Sequence, residues 1–116
     1  MDEKPLVWVA GSQDAVRNFP DDARRRAGFE LYLVQRGLKP TDFKPMPDVG
    51  AGVYELRIRT ALEHRIFYIA KYEEAVYVLH AMEKKSQKTL KRDLDLARDR
   101  LALVTHIRST ARRIHD

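Results

Sequence analysis

Apolar and polar positions change period several times along the chain, and each change marks an element. Leu6 to Ala10 (LVWVA) is apolar and β-branched and stops at Gly11, which predicts a short strand. Ser12 offers a side-chain oxygen as N-cap to a helix reaching about Phe19, where Pro20 interrupts it. Proline suits the first turn of a helix, and Asp21 to Gln35 carries Ala23, Ala27, Leu31 and Val34 on one stripe at helical spacing. Arg24, Arg25 and Arg26 fall mostly off that stripe, and Gly37 ends the helix. Lys39 to Gly52 (KPTDFKPMPDVGAG) holds three prolines and two glycines, so it reads as an extended connection without a regular element.

The second half switches to a period of two. In Val53–Arg59, Tyr54, Leu56 and Ile58 point to a core face. Val53, Glu55, Arg57 and Arg59 point to the other, with the two arginines side by side on an open surface. Arg65–Lys71 (RIFYIAK) and Ala75–Met82 (AVYVLHAM) are almost uniformly apolar, as central strands are. Short links make the three strands a meander. Leu90–Ile107 is a last helix, with Leu94, Ala97, Leu101 and Val104 on its apolar stripe and Thr89 as N-cap; from Arg108 it continues or frays. The order β-α-α-β-β-β-α predicts an α+β fold: a small antiparallel sheet, its first strand at an edge, helices packed on one face and the other face partly open.

With 116 residues, 44% hydrophobic and 34% charged, residues 1–116 form one globular domain with a single core. The chain has no cysteine, which excludes a disulfide framework and fits a reducing, cytoplasmic setting. The start, MDEKPLVWVAGS, lacks the ~20 apolar residues of a membrane span and the pattern of a secretory leader, so no membrane contact is expected. The net charge of +5 points to a polyanion, an acidic protein, or both.

Cations gather between Val53 and Thr89: Arg57, Arg59, Arg65, Lys84, Lys85 and Lys88. The four histidines, His64, His80, His106 and His115, never pair at i+3 or i+4. No HExxH, P-loop, dinucleotide fingerprint or nucleophile elbow occurs, so neither a metal nor another cofactor is expected. What remains is an ordinary solvated sheet face at Arg57 and Arg59, or else metal-free phosphate chemistry, such as cleavage of RNA by attack of a 2′-hydroxyl on the neighbouring phosphate. Such a site needs a proton acceptor, a donor for the leaving oxygen and fixed positive charge at the phosphorane. Arginine suits the last role because it forks onto two oxygens. Tyr68, His64 and His80 are candidates for proton transfer, although His80 reads more readily as a core histidine bonded to backbone and His64 as an exposed turn residue. A lysine crowded by cations can also have its pKa lowered into a useful range. The run Lys84, Lys85, Lys88, Lys91, Arg92 meets no acid before Asp93 and favours anion binding.

In order and spacing, VYELRIRT…HRIFYIA…VYVLHAMEKKSQKT…DLDLARDRLA resembles the RelE/ParE superfamily of type II toxins. It is most similar to the HigB-like, phage-derived branch, with its ELR, YR and KKtqkt motifs. The resemblance spans nearly the whole chain, Phe19-Pro20 included. It implies a toxin that blocks translation by cleaving mRNA, often on the ribosome. A helix-turn-helix, HigA-like antitoxin would hold it inactive, and operator DNA would be reached only through that antitoxin. Carried over by position, the motif residues are Arg57, Arg65 (here preceded by His64), Lys84 and Lys85. Leu90 stands where a proline is usual. The C-terminal aromatic used by RelE has no clear match, Lys91 falling about there, so the acid and base stay unassigned. The resulting expectation is a catalytic set of Arg57, Arg65, Lys84, Lys85 and Tyr68, with Arg59, His64, Lys88, Lys91 and Arg92 contacting RNA. Two other readings stay open: a ParE-like inhibitor of DNA gyrase, and an inactive basic binding module or co-repressor.

Overall fold

The alternation of Val53–Arg59 continues into a five-stranded sheet. The computed structural model describes residues 3–115. Met1, Asp2 and Asp116 lie outside the described residues, and with them part of the segment read above for a leader. The elements are β1 (Leu6–Trp8), α1 (Ser12–Arg17), α2 (Asp21–Gln35), β2 (Phe43–Pro45), β3 (Val53–Arg59), β4 (Glu63–Ile69), β5 (Val76–Glu83) and α3 (Lys91–His115). The strand order is β1-β5-β4-β3-β2. The architecture is α+β as expected, and the two apolar strands are central.

Several details differ from the expectation. The edge strand β1 runs parallel to β5, Leu6 beside Val76, while the other pairs are antiparallel. The stretch expected to be irregular contributes β2, with Phe43 opposite Leu56. Proline hides this strand from a sequence reading, yet at a sheet edge Pro45 leaves no ladder bond unmade. Ser12 does not cap α1; it is the first helical residue, and its hydroxyl donates to the Val78 carbonyl at 2.9 Å. Gly37 does end α2: with φ at 74° it completes a C-terminal turn in which Gly37 N–H donates to Val34 and Leu38 N–H to Leu33.

Helices cover both faces of the sheet. The α2 stripe, Ala23, Ala27, Leu31 and Val34, is buried with Val16 and Phe19 against Leu56, Ile58, Ile66, Tyr68 and Val78. On the other face Ala97 and Val104 of α3 pack over Val53, Phe67, Ile69, Tyr77 and Leu79. A helical stripe shows that a helix packs on a sheet but not on which face. Val53 and Glu55, expected on the open face, are therefore fully buried. The loop before β3 joins this second layer through Met46 and Val49, and a methyl group at Gly50 would run into Leu101 of α3. No helix among the described residues is long and apolar enough to cross a membrane.

The far half of α3 is tied to the β4–β5 turn by one cluster. The Arg108 guanidinium lies 3.7 Å from the Tyr72 ring centre and donates to Glu74 at 2.6 Å, and the Tyr77 hydroxyl donates to the same oxygen at 2.8 Å. The Arg108 hydrogen bond is the main cause holding the Glu74 carboxyl down, to about 2. A carboxylate with a lowered folded pKa contributes stability above the ordinary carboxylate range and loses it as pH falls toward the folded value. Urea titrations across this acidic window should show a shallower loss of stability for Glu74→Gln than for the native chain. Both partners are partly exposed, so the difference should stay below about 1 kcal/mol.

Candidate anion-binding site

The sheet face under α3 is split along its length. The helix covers the apolar end, leaving the other end, with Arg57, Arg59, Arg65 and Lys84, beneath the loop that joins β5 to α3. Register explains the grouping: Arg57 on β3 lies opposite Arg65 on β4, and Glu55 lies opposite Phe67. Paired residues share a face, so Glu55, Arg57 and Arg65 converge. Lys84 follows β5 directly, and its N–H donates to the Glu63 carbonyl at 2.8 Å.

Glu55 is the centre of this group. Its carboxylate is fully buried; Oε1 accepts from Arg57 Nε at 3.4 Å and lies 3.3 Å from Arg65 Nε. The Thr89 hydroxyl donates to its other oxygen at 3.4 Å. Thr89 therefore pins the loop onto the site instead of capping α3. Arg65 is 3% exposed and also pairs with Glu63 at 3.1 Å. Arg57, 23% exposed, reaches Asp42 at 3.8 Å, and Arg59 reaches Asp42 at 3.6 Å and Glu63 at 3.7 Å. Arg65 thus lies in the floor of the site, while Arg57 and Lys84 border solvent.

An open cleft of about 380 Å³ lies above this floor, lined by Glu63, Arg65, Lys84, Lys85, Ser86 and Gln87. The Lys84 amine is partly desolvated, which lowers its pKa from the ordinary lysine value. Arg65, Lys44 and Arg57 press it further down, against the pull of Glu55. Cations outnumber the carboxylates Glu55, Glu63 and Asp42, so the cleft presents net positive charge to an anion. Beside it a smaller cavity of about 210 Å³ includes Lys88 and Arg92 in its lining. Lys91 instead pairs with Asp95 at 2.8 Å within α3 and stays highly exposed.

Tyr68 and His64 do not join this group. Both point to the α1–α2 face, because Tyr68 pairs with Tyr54 and His64 with Ile58. Tyr68 is 3% exposed, and burial pushes its phenol above the ordinary tyrosine value. His64 is not in a turn: it is buried in β4 with its ring 4.3 Å from that of Phe19, and desolvation lowers its pKa. Neither reaches the cleft. The sheet parity of an all-apolar strand cannot be read from composition, which is why sequence does not separate Tyr68 from its neighbour Phe67.

His80 is a core histidine, but its partners are side chains and not the backbone. Arg100 Nη1 donates to the Leu79 carbonyl at 2.9 Å and approaches His80 Nδ1 at 3.2 Å, and His80 Nε2 lies 2.8 Å from Asp93. Arginine can only donate, so Nδ1 is the acceptor and Nε2–H donates to Asp93. Asp93 is thereby engaged and does not neutralise the lysine run. A β-bulge leaves Leu79 opposite no residue of β4 and brings His80 opposite Phe67.

Sequence reasoning missed Glu55, Asp42 and Lys44. Glu55 shares parity with Arg57, which was the available signal. Asp42 and Lys44 come from the stretch expected to be irregular. Among the described residues no group of three His, Cys, Asp or Glu side chains is placed to hold a metal ion.

The model for the family described as Phage derived protein Gp49-like (DUF891) matches residues 14–102. The match takes in the cationic cleft, both central strands and the first half of α3. No curated protein matches the chain.

Proposed function

Because the chain belongs to the phage-derived, Gp49-like family, we propose that it is the toxin of a type II toxin–antitoxin pair, a HigB-like member of the RelE/ParE superfamily that cuts mRNA without a metal. The observation that carries this reading is Lys84: a partly desolvated amine beside Arg57 and Arg65, on the open half of a basic sheet. In the proposed step the neutral Lys84 amine takes the proton of a 2′-hydroxyl, and that oxygen bonds to the adjacent phosphorus. The bond to the 5′-oxygen breaks, and this oxygen takes a proton from water. A 2′,3′-cyclic phosphate and a 5′-hydroxyl result. Arg57 and Lys85 hold the non-bridging oxygens, where charge builds up. Arg65 acts from below, fixing Glu55 and Glu63 and adding its field. Arg59, Lys88 and Arg92 lie along the flanks, where RNA enters and leaves; mRNA on the ribosome in the cytoplasm is the substrate. A helix-turn-helix antitoxin with acidic contacts suits this basic surface and carries operator binding.

Induced expression with mapping of transcript ends tests the reading. New 5′-hydroxyl ends should accumulate as translation stops. Intact transcripts with broken DNA would replace the reading by inhibition of DNA gyrase, and harmless expression without an antitoxin by an inactive binding module. The pH profile tests Lys84. With a lowered pKa the base form appears as pH rises through a range below that of free lysine, so cleavage should rise there. Lys84→Arg keeps the charge but holds its proton, and should lose about 10²–10⁴ in rate. An arginine variant of full activity would reduce Lys84 to a charge contact.

A further inference from the structure

The exposed face of α2 carries a second pattern, unrelated to its buried stripe. Arg25, Phe29, Tyr32 and Arg36 follow one another at i, i+4, i+7 and i+11, and so share one side of the helix. Phe29 is 56% exposed and Tyr32 41%. Beside Phe29 an open recess of about 550 Å³ is lined by Asp22, Arg25, Arg26 and Thr60. Arg26 is shared with Glu30 at 3.5 Å, and Asp22 accepts the Ala23 N–H at 2.8 Å, within its own helix. Arg25 has no ion pair among the described residues. The recess therefore offers an open aromatic face and an exposed guanidinium with no ion pair among the described residues, with the Asp22 carboxylate in the same lining.

Its position links it to the cleft. Thr60 in the recess wall and Glu63 in the cleft wall flank the β3–β4 turn. Arg59, 3.7 Å from Glu63, stands at the same corner and is more than half exposed. Cations thus recur from Lys85 and Lys84, past Arg59, to Arg25 round this end of the sheet, with Glu63, Asp42 and Asp22 interspersed among them.

We propose that this recess is a distal subsite for single-stranded RNA: a base stacks on Phe29, Arg25 holds its phosphate, and the strand bends round the β3–β4 turn into the cleft. The inference rests on the RNA-cutting reading and adds a length requirement to it. A base on an aromatic face needs no sequence match, because every base has such a face, so the subsite selects for strand length and not for sequence.

The test is binding of fluorescein-labelled, unstructured RNA carrying 2′-O-methyl groups, which cannot be cut, in two lengths of about 4 and about 12 nucleotides, within the site sizes of single-strand grooves. Phe29→Ala should weaken the longer RNA roughly five- to a hundredfold, the loss of one stacked base. It should leave the shorter one and the melting temperature unchanged. Arg25→Ala should weaken the longer RNA as well and flatten its salt dependence, and Phe29→Trp should restore binding. Equal binding of the longer RNA by the native chain and Phe29→Ala overturns the subsite while leaving the cleavage reading intact. Phe29-dependent binding in a protein that cuts no RNA would keep the subsite and overturn the cleavage reading. Loss of antitoxin binding in Phe29→Ala with RNA binding unchanged overturns the subsite and assigns this face to a protein partner.

Discussion

Arg57→Ala should lower RNA cleavage by about two to three orders of magnitude with little change in stability. That is the usual cost of removing one charge contact from a transition state. The residue sits where such a contact is needed, on the open half of the sheet beside Arg65 and within the field that lowers the Lys84 pKa. Its side chain is 23% exposed, so its guanidinium can meet a phosphate, whereas Arg65 is covered. The variant should remain folded, because Glu55 keeps Arg65 and Thr89 as partners. Single-turnover cleavage of a short RNA, beside a thermal melt, separates rate from folding. Arg57→Lys should recover only part of the rate, since an ammonium cannot fork onto two oxygens. Undiminished cleavage by the alanine variant would move the site elsewhere.

Glu55→Ala should destabilise the fold by about 3–5 kcal/mol, the typical cost of leaving a buried charge without its partner. The carboxylate is fully buried, and without it Arg65, 3% exposed, keeps only Glu63 as an ion pair. Loss of the Thr89 bond should also loosen the loop that carries Lys84 and Lys85. The double variant Glu55→Leu with Arg65→Met should regain much of the stability, because buried pairs can often be replaced by apolar groups of similar volume. It should still be inactive, with Arg57 and Lys84 no longer held. Urea denaturation of the single and double variants decides the matter. A Glu55→Ala chain as stable as the native one would show that the buried carboxylate does not anchor these cations.

Much of this arrangement is legible in the sequence, and the exceptions share causes. The stripe of α2 and the Tyr54–Leu56–Ile58 face are strongly periodic, and both pack as expected. β2 is three residues long and ends in proline, so no periodicity announces it. The seat of α3 on the second face depends on chain path, a tertiary property. It hid the burial of Val53 and Glu55 and made that face look open. Within the site, Arg57 stands out because a cation on a strand of clear parity faces either solvent or a ligand, and Lys84 because it closes an apolar strand. Tyr68 was not separable from Phe67 because β4 is apolar on both faces, where a shift of one residue exchanges core for cleft. His64 read as a turn residue because β4 begins at Glu63, two residues earlier than its apolar run. Glu55 was missed because a carboxylate on the same strand face as Arg57 and Arg59 reads as surface charge until its burial is known.

The parallel seam between β1 and β5 has a consequence for the order of events during synthesis. Leu6 lies beside Val76, so β1 has no neighbour in the sheet until β5, the last of the five strands, has emerged. Pairings between distant parts of a chain are slow to form, because loop closure precedes any gain from contact. Lys84, Thr89 and α3 come later still. A growing chain therefore carries Lys84 and Lys85 apart from Arg57 and Arg65, which share the local β3–β4 hairpin, until β5 has joined the sheet. For a protein proposed to destroy messages, this order leaves the cleft incomplete until β5 and the loop after it have been made.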